Sequence, residues 1–376
     1  MTDPAPDLEA EVAAHLDAHP PGRAPSGLEE RFAWLVEQQR LLHEAGLAVV
    51  SWPEEHGGRG LPASDALRVS TALGRAGQPE LINFVAIEVI APALRAYADA
   101  DQLKRWLPPM AGADEVWCQL FSEPDAGSDL AALRTRAAFD GEVWRIDGAK
   151  VWSTWGQFAS KGLLLARTGP PSDRHRSIAA FVIEMDQPGV EVRPLATMTG
   201  AAEFAEVVLD GAVVQPEDVV GQVSDGWGVT LRTLESERGP YAIRRAAVLS
   251  GALQRVLDTA RGRDLDPHRR RRVVDAHMAM WALERRASAV AALLEAGEDL
   301  GAEATLTKVA LTDAEQEVFA VAHELLGLDG QAWVEEPEVV EEYLYSRAAS
   351  IYGGSAQVQR NILAERFLGL PRDPRP

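Results

Sequence analysis

The sequence predicts a three-domain α+β protein: an N-terminal helical domain, a middle antiparallel β-barrel or sandwich, and a C-terminal four-helix bundle. The chain has 376 residues, which is too long for one ordinary hydrophobic core. Apolar residues recur at helical spacing in both end segments, and short β-like runs fill the segment between them. We place the three domains at residues 1–115, 116–226 and 227–376.

The N-terminal segment has apolar side chains at near-helical spacing, namely Leu28, Phe32, Leu35, Val36, Leu41, Leu42 and Leu47. A stretch rich in Gly and Pro, PEEHGGRGLP at 53–62, interrupts this pattern. A second helix is expected to begin with Ser64 as its N-cap and to end near Gly77. A further helical run extends from Val85 to Ala111, and Pro92 breaks it locally.

The middle segment consists of short runs typical of strands: LRTRAAF, VWRIDG, GLLLART, SIAAFVIEM, VEVRPLA and EFAEVVLDGAVV. Turn-forming residues separate the runs at FDGEV (139–143), RIDGAK (145–150) and DQPGV (186–190). No predicted helix between them is long enough for a parallel crossover, so a doubly wound sheet is not expected. A compact antiparallel barrel or sandwich is therefore predicted.

Helical periodicity returns after Trp227 and continues to about Phe367. The first helix is predicted as one continuous stretch, TLRTLESERGPYAIRRAAVLSGALQRVLDTA, and the second is VVDAHMAMWALERRASAVAALLEA. A third is expected from Thr305 to Leu326, and a fourth follows an acidic linker at Val334–Glu342. Four long helices joined by short loops predict a four-helix bundle.

Composition limits the partners and the compartment. The formal net charge of −20 argues against a nucleic-acid partner, because phosphate binding requires clustered Lys and Arg. The basic cluster Arg269–Arg272 is interpreted as a solvated helix face, with a phosphate contact as the alternative. No apolar run approaches the ~20 residues of a membrane span, and the acidic N-terminus is unlike a secretory leader. The single cysteine, Cys118, excludes an internal disulfide and favours the cytoplasm.

One loop has the composition of a ligand site. Ser122-Glu123-Pro124 is followed by Ala126-Gly127-Ser128, and such Pro and Gly positions hold backbone amides and hydroxyls open for a ligand. A plain turn between domains is the alternative interpretation.

Two further motifs have both a structural and a functional interpretation. In KVWST, Trp152 and Thr154 end a β-run, where a Trp is usually part of the core. Near the C-terminus, Gly353-Gly354 and then Ser355 precede a helical run, which predicts a helix N-terminus with open amides. Such a terminus suits a phosphate or a carbonyl oxygen. No metal site is predicted.

Four blocks, in this order along the chain, together resemble the acyl-CoA dehydrogenase family. They are LFSEPDAGSDLAALRTRA (120–137), DGAKVWST (147–154), EFAEVVLDGAVV (203–214) and IYGGSAQVQRNILAERFLGLPR (351–372). The resemblance covers almost the whole chain and implies FAD as cofactor.

The resemblance also implies roles for individual residues. Ser122 would hydrogen-bond the flavin pyrimidine edge, with Gln119 and Phe121 beside the cofactor, and Ser128 would approach the ligand or a phosphate. Trp152 and Thr154 would pack on the isoalloxazine ring and hydrogen-bond to it. The loop at Gly353 and Gly354 would lie over the flavin, and Ser355 and Gln357 would contact its adenosine or phosphate part.

The sequence departs from the family pattern at the catalytic base. Many members carry a glutamate in the C-terminal loop directly after a tyrosine, and this chain has Gly353 there. Some members place the base on a helix immediately before an arginine, which matches Glu237-Arg238. Removing the α-proton of a thioester requires a positioned carboxylate, so Glu237 is the expected base, although an ordinary helix-surface pair is the alternative. Glu235 is a weaker candidate.

The second departure concerns the cofactor phosphates. The region where members that form symmetrical tetramers carry Arg-x-x-Phe-Gly reads ARGRDLDPHRRRRVVDAH here. HELLGLDGQ (323–331) stands where the family commonly has a glutamine and a Gly-Gly pair. A conventional cross-subunit contact to FAD is therefore not expected, and Arg269–Arg272 could replace it.

The leading hypothesis is FAD-dependent α,β-dehydrogenation of an acyl thioester of coenzyme A or of an acyl carrier protein, with an electron-transfer flavoprotein as electron acceptor. The chain would work as a homo-oligomer or as a heterotetramer with a paralogous subunit. Two alternatives remain: a non-catalytic subunit that completes the FAD site of another chain, and a flavin monooxygenase on the same scaffold, which needs no carboxylate base.

Overall fold

The computed structural model describes residues 7–326 and 337–372. These residues form two compact units, each described by itself. The sheet unit contains residues 23–60 and 81–236, and the helical unit contains the described residues of 1–22, 61–80 and 237–376. The predicted order of helices, strands and helices is confirmed. In the described part of the chain, no helix is both long and apolar enough to span a bilayer.

The sheet unit begins with helices and continues with strands. Its helices are α2 (Leu28–Glu44), a π-helix (Val85–Ile90), α4 (Ala91–Tyr97), α5 (Ala100–Ala111) and α6 (Gly226–Arg238), whose last two residues belong to the helical unit. Its strands are β1 (Trp117–Leu120), β2 (Arg136–Phe139), β3 (Trp144–Thr154), β4 (Lys161–Arg167), β5 (Ile178–Glu184), β6 (Val190–Leu195) and β7 (Phe204–Val214).

The strands form one sheet with the order β1-β4-β2-β3-β7-β6, and β5 pairs with β4. Most pairs are antiparallel, as predicted, whereas β4 runs parallel to β1 and to β2. Ile146, Leu164, Phe181 and Val207 are completely buried in the core of the sheet. Strand β5 reads as a continuous apolar run because all but its last residue is buried.

The structure differs from the sequence prediction at two places in this unit. RIDGAK (145–150) is part of β3 rather than a turn, and the ladder to β7 shifts between Ile146 and Asp147. The Asp-Gly pair therefore marks a β-bulge, with Gly148 at φ 156. Strand β1 was not predicted, because its four residues carry no alternation of apolar and polar side chains.

The helical unit contains three long helices: α7 (Pro240–Arg261), α8 (Pro267–Ala296) and α9 (Gly301–Leu326). The shorter helices are α1 (Leu8–Ala18), α3 (Ala63–Arg75), α10 (Pro337–Tyr345), α11 (Ala356–Ile362) and a π-helix (Leu363–Phe367). The long helices contact one another, and α3 packs on α7. Their buried faces include Leu249, Met280, Leu283, Leu311 and Val318.

Several predicted boundaries in this unit were wrong. Pro62, not Ser64, is the N-cap of α3, and the Ser64 amide instead donates to Glu295. The predicted continuous helix breaks at Gly239 (φ −108, ψ −86), because the following Pro240 starts a new helix.

The last part of the chain also differs from the prediction. The predicted acidic linker is helical from Pro337 onward, and the predicted fourth long helix is divided into short ones. The other residues of that linker, 334–336, and the segment 327–331 of HELLGLDGQ lie outside the described residues.

Candidate active site

The Ser-Glu-Pro loop is a tight turn joined to strand β3. Glu123 and Ala126 exchange backbone hydrogen bonds of 3.0 and 3.1 Å, and the Val151 amide donates to the Ser122 carbonyl over 2.9 Å. The hydrogen bond between Val151 and Ser122 places the Ser-Glu-Pro loop beside KVWST. The structure thus brings together two motifs that lie almost thirty residues apart in the sequence.

A buried ion pair fixes this loop from behind. The Lys150 ammonium, which is completely buried, donates to Glu123 Oε1 over 2.8 Å and to the Phe121 carbonyl over 3.2 Å. The Glu123 carboxylate also accepts the backbone amides of Arg134 and Thr135. Burial disfavours the Glu123 carboxylate, but Lys150 and these hydrogen bonds outweigh it and lower its pKa. Sequence reasoning missed this pair, although a lysine inside a strand is a signal for one.

Trp152 is held in an unusual backbone conformation. Its φ is +65°, where a bulky residue is strained, and it lies at the register shift between Lys150 and Ser153. Its side chain is 60% exposed and touches Phe204 edge-on, at 6.1 Å between ring centroids. The interpretation of Trp152 as a core residue is therefore wrong. Thr154, two residues further along β3, is half-buried and pairs with Phe204 in the ladder.

Four other residues of the sheet unit are predicted to lie beside the flavin, and they differ in burial. Phe121 is buried, Gln119 and Ser122 are half-buried, and Ser128 is exposed beyond the turn. These four residues of β1 and the loop thus include one exposed and two partly exposed polar side chains. The backbone contact between Val151 and Ser122 brings the chain at Trp152 beside this loop.

In the helical unit, Glu237 lies beside the loop glycine. Gly353 has φ +63°, and a Cβ built on it would lie 3.5 Å from the Glu237 carboxyl carbon. The Arg238 guanidinium donates from Nε to the Gly353 carbonyl over 3.4 Å. The structure therefore brings Glu237 and Arg238, the predicted base and its arginine, to the loop glycine Gly353. Glu235 instead forms an ion pair with Arg232 at 2.8 Å.

The surroundings of Glu237 determine its acidity. Burial of its carboxyl group raises the pKa, and the positive charges of Lys308 and Arg238 oppose this rise. The residue as a whole is half-buried. A carboxylate with a raised pKa is suited to general base catalysis.

Two residues that sequence reasoning missed support the glycine loop. Lys308 is 1% exposed, and Gln359, which is completely buried, donates to the Gly353 carbonyl over 3.3 Å. Lys308 lies on α9, far from the loop in the sequence, and Gln359 lies on the buried face of α11. Neither position carries a local sequence signal for a role at the loop. A Cβ at Gly354 (φ +85°) would collide with the Gln359 amide, which explains the second glycine.

Ser355 and Gln357, which are predicted to contact the adenosine or phosphate part of the cofactor, lie at the N-terminal end of α11. Ser355 is the N-cap of α11, and its hydroxyl accepts the Val358 amide over 3.3 Å. This confirms the predicted helix N-terminus. Gln357 is exposed on α11.

The basic cluster on α8 is engaged in ion pairs. Its four guanidinium groups contact Asp266, Asp264, Asp275, Glu317 and Glu324. These contacts favour the solvated helix face over a phosphate site at Arg269–Arg272. Among residues 7–326 and 337–372, no group of three or more His, Cys, Asp and Glu side chains is arranged to hold a metal ion.

Known proteins match the chain along almost its whole length. Models of the N-terminal, middle and C-terminal domains of acyl-CoA dehydrogenases match residues 9–114, 118–212 and 224–368. Acyl-CoA dehydrogenase IpdE1 of Mycobacterium tuberculosis (strain ATCC 25618 / H37Rv) is 37% identical over 373 residues, which covers 98% of this chain and 95% of that protein. Acyl-CoA dehydrogenase FadE26 of the same organism is 30% identical and covers 87% of this chain and 86% of that protein.

A solved structure agrees with these matches. The Tcur3481-Tcur3483 steroid ACAD superposes with a TM-score of 0.85 at 27% identity, covering 98% of this chain and 97% of that chain. Members of the matched family typically bind FAD. The three domain matches and the full-length relative show that the chain belongs to the acyl-CoA dehydrogenase family and is an oxidoreductase of the acyl-CoA dehydrogenase type.

Proposed function

We propose that this chain binds FAD and dehydrogenates an acyl thioester between its α- and β-carbons, with Glu237 as the base. The observation that carries the proposal is the position of the Glu237 carboxyl group beside Gly353. A glycine cannot accept a proton, and a glutamate from the neighbouring helix occupies the adjoining space. The carboxylate would therefore act near the point where many family members act from the loop.

Glu237 would take the α-proton onto a carboxylate oxygen. Its raised pKa makes it a stronger base than an exposed glutamate, which lowers the barrier to removing a weakly acidic carbon-bound proton. Arg238 would keep the loop in place through the Gly353 carbonyl, so that the carboxylate and the loop hold a fixed geometry.

Residues of the sheet unit fit a flavin. A large aromatic ring that is 60% exposed on a strained backbone provides a flat apolar surface, and such strain is retained where it serves a function. Bound FAD would supply the hydride acceptor. Trp152 and Thr154 would hold its ring, and Ser122, Gln119, Phe121 and Ser128 would line it. The same proposal assigns Gly353, Gly354, Ser355 and Gln357 of the helical unit to cofactor binding.

The substrate and partners follow from the same proposal. The thioester would belong to coenzyme A or to an acyl carrier protein, which share the same thioester chemistry, and an electron-transfer flavoprotein would accept the electrons. Because one relative is named as a steroid ACAD with two protein components, ring-bearing acyl groups and a paralogous subunit are proposed for this chain.

The test begins with the full chain purified alone. Its visible spectrum reports flavin, and thioesters of linear, branched and ring-bearing acids are then screened for anaerobic bleaching. Bleaching by an acyl-CoA or an acyl carrier protein thioester would support the proposal and identify the carrier. Absence of flavin until a paralogue is added would instead favour a half-site subunit, and rapid oxygen consumption by the reduced protein would favour a monooxygenase.

The role of Glu237 is tested by Glu237→Gln, which keeps the shape and removes the base. We expect this variant to retain FAD and to lose bleaching by about a hundredfold or more, the usual contribution of a general base. Glu235→Gln is the matched control and should bleach at the wild-type rate, since its carboxylate is paired with Arg232. Unchanged bleaching by Glu237→Gln would refute the assignment.

A further inference from the structure

Lys308 is a buried lysine. No residue in the described part of the chain forms a direct ion pair with its ammonium group. Its Nζ donates to the Ala349 carbonyl over 2.9 Å and lies 4.0 Å from the centre of the Tyr352 ring. Thr312 donates to the same carbonyl over 2.9 Å. Burying an ammonium group with such partners is costly unless an opposite charge is close.

Gly353 connects this lysine to the proposed base. A Cβ on that glycine would lie 3.1 Å from Lys308 Cε and 3.5 Å from Glu237 Oε1. The Lys308 side chain and the Glu237 carboxylate therefore both face the position where a Cβ would lie. The glycine leaves that position open.

Glu315, the other carboxylate near Lys308, is held by an ion pair of its own. Glu237, Glu315, Arg238 and Arg245 all act on Lys308 electrostatically. Glu315 is already paired with Arg245 at 2.6 Å and accepts the Tyr352 hydroxyl over 3.0 Å. Arg238 donates from Nε to the Gly353 carbonyl. Of the two carboxylates that act on Lys308, Glu315 is thus the one held by Arg245, and Glu237 is the one beside Gly353.

We infer that Lys308 is a positioning residue for the proposed reaction: its ammonium group keeps the adjoining Glu237 carboxylate ionised. The inference rests on the proposed function. During the reaction the α-carbon–hydrogen bond breaks and its proton moves to a Glu237 oxygen, while Lys308 keeps its own proton. The electron pair of that bond would form the α,β double bond as the β-hydrogen leaves as hydride to the flavin acceptor of the proposed function. Burial lowers the pKa of Lys308 to about 8, which leaves the group mostly charged at neutral pH.

The test uses Lys308→Gln, which removes the charge and retains a donor for the Ala349 carbonyl. Loss of a nearby positive charge raises the pKa of a carboxylate, so the base becomes ionised only at higher pH. We expect the acid limb of the anaerobic bleaching rate to move upward by about one pH unit or more. Lys308→Arg should leave the limb near its wild-type position. Thr312→Val, which alters the other donor to Ala349, should do the same.

A second measurement does not depend on activity or on a Lys308 variant. The carboxyl infrared band of Glu237, assigned by difference from Glu237→Gln in the flavin-loaded chain, should show an ionised group at pH 7. A protonated Glu237 at pH 7, or an unmoved acid limb in Lys308→Gln, would overturn the role of Lys308. The proposed function fails separately, if Glu237→Gln bleaches like the wild type.

Discussion

At the scale of single residues, Gly353 and Glu237 are related sterically, because the Glu237 carboxylate lies beside the place of a side chain at position 353. A glutamate side chain at position 353 would enter the space between Glu237 and Lys308, and its backbone would be strained at φ +63°. Glu237, on α6, supplies a carboxylate near this point. Its distance from Gly353 gives a steric reason for a glycine there.

Gly353→Ala tests the steric argument. Its methyl group would press on the Lys308 side chain at 3.1 Å, so we expect slower bleaching by about tenfold together with a loss of stability of about 1–2 kcal/mol from the left-handed backbone. Gly22→Ala is the matched control, because Gly22 has φ +67° and no atom within 4 Å of the place that the added methyl group would take. It should lose stability similarly and bleach normally, and equal bleaching by the two variants would contradict the steric argument.

At the scale of elements, glycines allow α3 and α7 to pack closely. A Cβ on Gly74 would collide with the Ala247 carbonyl, and one on Gly251 would collide with the Gly74 carbonyl. The two helices therefore approach backbone to backbone. A glycine in a helix interior costs about 1 kcal/mol in propensity, and this close contact offsets that loss.

Gly74→Ala should separate these helices. Overpacking a tight contact costs about 1–3 kcal/mol, so we expect a lower unfolding midpoint in urea for this variant. Gly262→Ala serves as the comparison, since the nearest atom to its new methyl group is 3.9 Å away and its backbone is right-handed. A wild-type midpoint for Gly74→Ala would show that the helices move apart without loss of stability.

At the scale of the whole molecule, α8 carries an apolar stripe on its outer face. Val274, Met278 and Trp281 are 52%, 62% and 60% exposed, and their spacing of four and then three places them on one side of the helix. Large exposed apolar groups in a row are typical of protein contacts. If the chain assembles with a paralogous subunit, as proposed above, we expect that subunit to cover this stripe.

Trp281→Glu tests this surface. A buried charge at the centre of an interface costs several kcal/mol, so co-purification with the paralogue should fall by at least about a hundredfold in affinity. Phe139→Glu, which changes an aromatic that is 51% exposed on β2, should leave the complex intact. If Trp281→Glu instead disrupts a complex of identical chains, the stripe is a homo-oligomer contact. Wild-type assembly would exclude the stripe from any interface.

Helical and strand periodicities are local properties of a sequence, so the fold class and the order of domains could be predicted from them. The Ser-Glu-Pro loop was predicted from a contiguous motif, and Glu237 from the resemblance to the family. The sequence did not indicate the break at Gly239 or the strand that contains RIDGAK, since those depend on which neighbour each backbone meets. The buried pair Glu123–Lys150, the support of Gln359 and the position of Lys308 beside Glu237 were decided by tertiary structure alone. The energy of an electrostatic interaction depends on the distance between the charged groups in space. The local sequence around two distant residues does not show that the fold brings them close together.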